Sequence, residues 1–316
     1  MLSVVIPTYG KAVILGRVLE SLFLQEGVRD DLEIIVVDDG SPDETERIVG
    51  LTARKATVPV HYVSQANRGV SAARNLGVRR AKGEWILLLC DDIVCTPRVV
   101  AEHRLWHDRF RGPKSVVCGP VMWPRDLPVD RFMTWLDNGG PQFQYYKLKG
   151  QTEITWRNFY ACNVSLSTES LLENPFDEEI KYGFEDTELG LRLSEHGHRF
   201  YFNESALGYH YHTRDLRAFR KRQTMTGASL YYARRNNPRM RLHVGLPSVS
   251  RCRRVKTLLR GSCLPLLKLT GQWRMVEKYW KVELDIALRK GYRAAERADG
   301  RKHRGSLAPV KAAPGG

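Results

Sequence analysis

The 316-residue chain has no apolar stretch of the roughly 18 residues that a membrane-crossing helix needs, so no spanning segment is expected. Its opening, Met1-Leu2-Ser3-Val4-Val5-Ile6-Pro7, lacks a basic leader and a small-residue cleavage site and reads as a first strand, not a secretory signal. No C-x-x-C pair occurs. The six cysteines, Cys90, Cys95, Cys118, Cys162, Cys252 and Cys263, are scattered, which argues against a zinc site or a disulfide framework. Reduced thiols and a cytoplasmic location, at most peripheral on the inner face of a membrane, are the matching expectation. Acidic residues are scarce in the last third. Residues 214–316 hold 26 Lys and Arg against 6 Asp and Glu, a net +20, whereas residues 1–213 hold 24 against 29, a net −5. That asymmetry points to an anionic partner such as a membrane surface or lipid phosphate, with a merely solvated basic surface as the plain alternative. Nucleic acid is disfavoured, because no aromatic-interleaved basic motif is present.

What is there is an alternation of strand-like and helix-like stretches, which predicts a mostly parallel sheet. Apolar strands are expected at Ser3–Pro7, Leu32–Asp38, Val58–Ser64, Gly83–Leu89 and Ser115–Trp123, and regularity returns at Ala161–Ser167. Helices are expected at Ala12–Gln25, Ser71–Ala81, Pro97–Phe110, Glu185–His196 and Asp215–Arg235. Ser41-Pro42-Asp43-Glu44 reads as a capping box with Pro at the first helical position. Residues 124–156 show no clear period and read as an irregular connection over a site. Pro265 breaks a helical pattern over Val255–Leu267, and Val276, Trp280, Leu284, Ala287 and Leu288 form an apolar stripe flanked by Lys and Arg. That stripe fits an interfacial membrane contact, or equally a helical subdomain that packs on the catalytic body or makes a dimer. Residues 299–316 are basic and rich in small residues, the composition of a disordered tail.

Two strands end in carboxylates: Leu32–Val37 runs into Asp38-Asp39-Gly40-Ser41, and Ile86–Leu89 into Cys90-Asp91-Asp92. Ligands of open α/β sheets bind outside the carboxyl ends of the strands, so two acidic ends imply one crevice. Adjacent carboxylates repel and call for a cation, and hard oxygen ligands beside a diphosphate suit Mg²⁺ or Mn²⁺. Pro7-Thr8-Tyr9 offers a hydroxyl and an aromatic face to a base, Asp39 an acceptor for a uracil N3–H, and Arg68 and Arg74 charge for phosphate at a helix start. Each has an ordinary structural reading: a turn cap for the Asp pair, packing for Tyr9, an internal ion pair for Arg74.

Taken in order, Val4-Val5-Ile6-Pro7-Thr8-Tyr9, Ile35-Val36-Val37-Asp38-Asp39-Gly40-Ser41, Asn67-Arg68-Gly69 with Ala73-Arg74-Asn75, Gly83-Glu84-Trp85 through Asp92, and Gly183-Phe184-Glu185-Asp186 resemble the family 2 glycosyltransferases over Ser3 to about His212. The resemblance implies a GT-A fold, a nucleotide-sugar donor, a divalent metal (Mn²⁺ or Mg²⁺) and inversion at the anomeric carbon. It implies that Pro7, Thr8, Tyr9, Asp39, Arg68, Arg74, Asp91 and Asn163 hold the donor. Asp92 and His210 would ligate the metal, with His212 a weaker candidate. Asp186 would be the general base, with Glu185 orienting it or the acceptor. Cys90 stands where the first Asp of the metal motif commonly stands. Trp123, Trp135, Trp156 and Tyr145-Tyr146 are candidates to stack on sugars, against the commoner reading of packing.

The expected organisation is a catalytic domain over residues 1–213, with donor and metal sites in 1–95 and the acceptor and base part in 124–213. A basic helical region follows over 214–298 and a tail over 299–316. The expected reaction moves a sugar, from a UDP-sugar by preference, to a hydroxyl of a glycan, lipid-linked glycan or small-molecule acceptor. The rivals are a sugar-1-phosphate nucleotidylyltransferase, disfavoured because Pro7-Thr8-Tyr9-Gly10-Lys11 is not a Gly-rich phosphate loop, and a degenerate relative that only binds a glycan, a membrane surface or a partner protein.

Overall fold

The computed structural model describes residues 1–27, 31–110, 112–249 and 261–305, with side chains through 301. The chain forms two compact units, Met1–Asp215 and Leu216–Gly316.

In the first unit the apolar runs become buried strands: β1 (Leu2–Thr8), β2 (Leu32–Asp38), β3 (Val60–Ser64) and β4 (Trp85–Leu89). Further strands are β5 (Ile93–Cys95), β6 (Ser115–Cys118), β7 (Val121–Met122), β8 (Glu153–Ile154), β9 (Asn163–Ser167), β10 (Arg199–Phe202) and β11 (Gly208–His210). The main sheet has the order β3-β2-β1-β4-β9-β6-β10-β8. Its first four strands are parallel, and β9 enters antiparallel between β4 and β6. The matching helices are α1 (Ala12–Phe23), α2 (Thr45–Ala53), α3 (Val70–Arg80) and α4 (Val99–Arg109). Every residue of β1 and β2 is buried, as a run apolar on both faces requires.

Three expectations are corrected here. The second helix starts at Thr45, not at Pro42. Asp43, rather than Ser41, satisfies its entry, accepting from the Thr45 amide at 3.2 Å and the Thr45 hydroxyl at 2.5 Å, while Ser41 Oγ accepts from the Gly10 amide at 2.9 Å. The single strand expected over Ser115–Trp123 breaks at Gly119-Pro120. A side chain at Gly119 would stand 2.3 Å from the Ala206 carbonyl, and the chain leaves there for a second, three-stranded sheet of order β5-β11-β7. The irregular stretch contains a real helix, α5 (Arg131–Asn138), capped by Asp130 accepting from the Met133 amide at 2.8 Å and burying Phe132, Met133, Trp135 and Leu136. Two more helices, α6 (Thr168–Glu173) and α7 (Glu185–Glu195), complete this unit; Gly197, with φ +82°, follows α7.

The second unit is helical: α8 (Leu216–Asn236), α9 (Pro238–His243), α10 (Leu264–Leu269) and α11 (Trp273–Gly305). The expected helix over Val255–Leu267 falls partly outside the described residues; the described part begins at Leu264 with Pro265 in its first turn. The stripe Val276, Trp280, Leu284, Ala287 and Leu288 is buried, Trp280 at 4% exposure. It packs inside the unit, where α8 and α11 meet so closely that a Cβ at Gly227 would lie 1.9 Å from the Leu288 carbonyl and one at Gly291 1.7 Å from the Thr224 carbonyl. Helix α11 continues to Gly305, into the stretch whose composition suggests a tail. Asp299 anchors it, accepting from Tyr231 at 2.7 Å and Arg235 at 2.8 Å. Among the described residues no helix is long and apolar enough to cross a membrane, and five cysteines are free.

Candidate active site

The parallel strands β1, β2 and β4 end on one sheet edge, and Thr8, Asp38-Asp39 and Asp91-Asp92 cluster there. Asp91 and Asp92 are 6% and 3% exposed. Two adjacent buried carboxylates need compensating charge. Lys11, at the entry to α1, provides it: its Nζ lies 2.9 Å from Asp91 Oδ1 and 2.7 Å from Asp92 Oδ2. Thr8 Oγ1 donates to Asp91 Oδ2 at 2.9 Å. Sequence reasoning left Lys11 without a role; its signal was a lysine two residues past Tyr9, on the turn that faces the Asp pair.

His210 Nε2 lies 3.3 Å and His212 Nδ1 3.7 Å from Asp92 Oδ2. The small sheet brings them there, for His210 pairs with Ile93 across β11 and β5, and the Tyr211 amide donates to the Asp92 carbonyl at 2.9 Å. The Trp123 ring lies parallel to that of His210, centroids 5.1 Å apart. Burial works to raise the Asp92 pKa, but His210 and Lys11 outweigh it and hold the carboxyl well below the usual range. Burial works to lower that of Lys11, and the two carboxylates raise it instead. Among the described residues no three His, Cys, Asp or Glu side chains are spaced as a formed metal shell. The donors nevertheless fit one in kind: a carboxylate with imidazoles is a set that Mn²⁺ accepts, and His210 Nδ1 is buried without a hydrogen-bond partner.

Asp39 shapes the wall opposite. Its Oδ1 accepts from Gln65 Nε2 at 2.7 Å and the Arg68 amide at 2.8 Å, and its Oδ2 from the Gly69 amide at 2.8 Å. These bonds fix the turn into α3. Tyr9 is 52% exposed at the crevice, Pro7 lies inside β1, and Arg68 reaches Glu178 at 2.6 Å with its side chain largely in solvent.

Two expected donor-binding residues are held inside instead. Arg74 is 4% exposed and donates to Glu185 Oε1 at 3.0 Å and to the Ala161 carbonyl at 2.9 Å, so its guanidinium is spent on an internal ion pair. Asn163 is 1% exposed because β9 runs through the sheet interior. Its Nδ2 donates to the Ala206 and Pro120 carbonyls at 2.7 and 3.2 Å, and its Oδ1 lies 3.0 Å from His103 Nε2. Among the aromatic candidates, Trp135 and Trp156 are buried and Tyr145 packs against Phe143, Tyr160 and Phe202, while Tyr146 is 51% exposed.

The turn into α7 is unusual. Gly183 and Phe184 are both left-handed, with φ of 75° and 69°. A non-glycine residue in that region costs on the order of 1–3 kcal/mol, a strain that clusters at functional sites. It presents Glu185 and Asp186 in the first helical turn, where carboxylates are favoured. Glu185 is buried on Arg74, with Oε2 left unpartnered. Asp186 Oδ1 accepts from the Thr187 amide at 2.7 Å. Burial, followed by the Glu185 charge, pushes the Asp186 carboxyl up to about 7 against the pull of Arg74. A carboxylate that titrates near neutrality is suited to proton abstraction.

Comparison with known proteins gives the family and the fold. The sequence profile of glycosyl transferase family 2 matches residues 3–170. Validoxylamine A glucosyltransferase of Streptomyces hygroscopicus subsp. jinggangensis is 31% identical over 223 residues, 62% of this chain and 52% of that protein. The chain thus spans about half the length of the curated relatives it matches first. The mannosyltransferase PcManGT from Pyrobaculum calidifontis, solved with GDP-Man and Mn²⁺, superposes with a TM-score of 0.58 at 19% identity over 98% of this chain and 81% of that one. S. aureus TarS in complex with UDP-GlcNAc gives 0.53 at 16% identity over 96% and 92%. At those identities the two structures establish the shared fold.

Proposed function

Since this chain belongs to glycosyl transferase family 2, and so is a transferase of sugars from nucleotide donors, we propose that it is an inverting, metal-dependent enzyme whose general base is Asp186. The observation that carries the reading is the bridge made by Arg74. It ties Glu185, next to Asp186, to the Ala161 carbonyl, which the Cys90 thiol also meets at 3.9 Å, and this supports a reading in which Asp186, its carboxyl raised to about 7, faces the crevice of Asp91 and Asp92.

In this reading Thr8, Tyr9 and Asp39 line the donor's nucleoside end and Arg68 faces its phosphates. A UDP-sugar is the preferred donor, since the Asp39 carboxylate suits a uracil N3–H. Asp92 and His210 would hold a divalent cation, which when bound would supply neutralisation of the charge on the departing diphosphate. Asp186 takes the proton from the acceptor hydroxyl as its oxygen bonds to the anomeric carbon, on the face opposite the breaking bond to the diphosphate; that geometry inverts the centre. Glu185, fixed by Arg74, keeps Asp186 basic by its charge. The acceptor is a polyhydroxylated molecule, a glycan, a lipid-linked glycan or a small sugar-like compound, a class that the name of the validoxylamine relative supports. The basic second unit is read as the surface for an anionic partner, a membrane by preference, which would place the enzyme at the inner face of the membrane. The four leucines of α10, none of them buried, support that choice.

The test is release of nucleoside diphosphate from a panel of nucleotide sugars with Mn²⁺, Mg²⁺ or chelator. Asp186→Asn is expected to lose roughly 10²–10⁴-fold in rate while still binding the donor. Asp92→Ala is expected to lose metal dependence and activity together. An Asp186→Asn enzyme of wild-type rate would remove the base from this scheme.

A further inference from the structure

One ammonium touches both carboxylates of the metal motif. Lys11 Nζ stands 2.7 Å from Asp92 Oδ2, the same oxygen that faces His210 Nε2 at 3.3 Å and His212 Nδ1 at 3.7 Å. A divalent cation held by Asp92 and His210 would have to share that oxygen with the ammonium, and like charges at such separations repel strongly in a poorly solvated site. With Cys90 neutral, Asp91 and Asp92 supply two negative charges to the motif, and Lys11 cancels one of them. Lys11 stands at the N-terminal boundary of α1 with its side chain one-third exposed, and the four-carbon stem of a lysine lets its ammonium reach more than one partner.

Resting on the reading of Asp92 and His210 as the cation's holders, we infer that Lys11 is the resident counter-ion of the donor-free site. The divalent cation displaces it, and the freed ammonium then pairs with the donor's diphosphate. The consequence is ordered loading. The free protein has little affinity for metal because its site already holds a positive charge. The diphosphate brings new negative charge and a new partner for the lysine, so metal and nucleotide bind together.

The experiment is Mn²⁺ binding followed by the electron paramagnetic resonance of the free aquo ion, first with Mn²⁺ alone and then with UDP. It uses the full chain as wild type, Lys11→Met and Lys11→Arg, each checked for folding by circular dichroism. Without nucleotide, Lys11→Met is expected to bind Mn²⁺ at least tenfold more tightly than wild type, and Lys11→Arg to stay as weak as wild type. At saturating Mn²⁺, Lys11→Met is expected to bind UDP about tenfold more weakly. Mn²⁺ bound by wild type in the presence of UDP, but no more tightly by Lys11→Met alone, overturns the role of Lys11 and leaves the metal reading standing. No Mn²⁺ bound by any variant, with or without UDP, overturns both.

Discussion

Asp186 can be probed in two directions at once. As the proposed base it must be ionised, so kcat/KM is expected to fall about tenfold per pH unit below the value near 7 to which burial and Glu185 raise it. For stability the sign is opposite. A carboxyl whose pKa rises on folding favours the folded state when protonated, and that contribution is lost as pH rises through about 7. Asp186→Asn should therefore be less active yet more stable than wild type at pH 8, as denaturant unfolding would show; equal stability would mean that the carboxyl is not perturbed. Arg74→Met strands the buried Glu185 charge and should cost about 3–5 kcal/mol. Adding Glu185→Gln should recover part of that loss, and a double mutant as unstable as Arg74→Met would show that the pair is not coupled. These residues differ in how far the sequence reveals them. Asp91 and Asp92 are legible because they end an apolar strand. The internal ion pair of Arg74 is among its ordinary readings, but the burial of Asn163 is not legible, because it depends on β9 inserting antiparallel, which no local spacing announces. The approach of Lys11 to both aspartates depends in the same way on β1 lying beside β4.

Elements carry their own tests. Along α4, His103 lies between Ser165 and Asn163, and His107 between Ser115 and Ser165 with Trp85 stacked on its ring. Burial lowers them to about 4 and about 3. Between those values and about 6.5 the unfolded chain binds protons that the folded chain refuses, so stability is lost as the pH is lowered. Melts at pH 7 and 5 should show wild type losing about 2 kcal/mol more than His103→Gln, and parallel losses would contradict the neutral buried imidazole. In the second unit, Gly227→Leu or Gly291→Val should cost at least about 2 kcal/mol, since a side chain at either position meets backbone carbonyl rather than a movable side chain. The helical circular dichroism would then melt at lower denaturant. The alternation of strands and helices was readable because each buried strand is a continuous apolar run. Helix α5 was hidden because its aromatics and neighbouring glycines and prolines mask a short period, and the α8–α11 crossing because glycines far apart in sequence give no joint signal.

At the scale of the chain, charge separates the two units: −5 over residues 1–213 against +20 over 214–316. Leu266 and Leu269 of α10 are 60% and 85% exposed. The full chain should sediment with vesicles containing anionic lipid at low salt, release at about 0.5 M salt, and ignore neutral vesicles. Leu266→Asp with Leu269→Asp should weaken the binding several-fold, and equal binding to neutral vesicles would exclude a charge-led contact. The small sheet has a consequence in time. Asp92 leaves the ribosome long before His210, and the two meet only when β11 docks on β5. A nascent chain can close the crevice around its first four strands while its catalytic chemistry is still unfinished, because N-terminal parts tend to fold first. Such distant pairings are also the slow ones to form. With His210 as the proposed holder of the cation, activity during synthesis should emerge only once β11 has docked on β5, later than the folding of the first four strands.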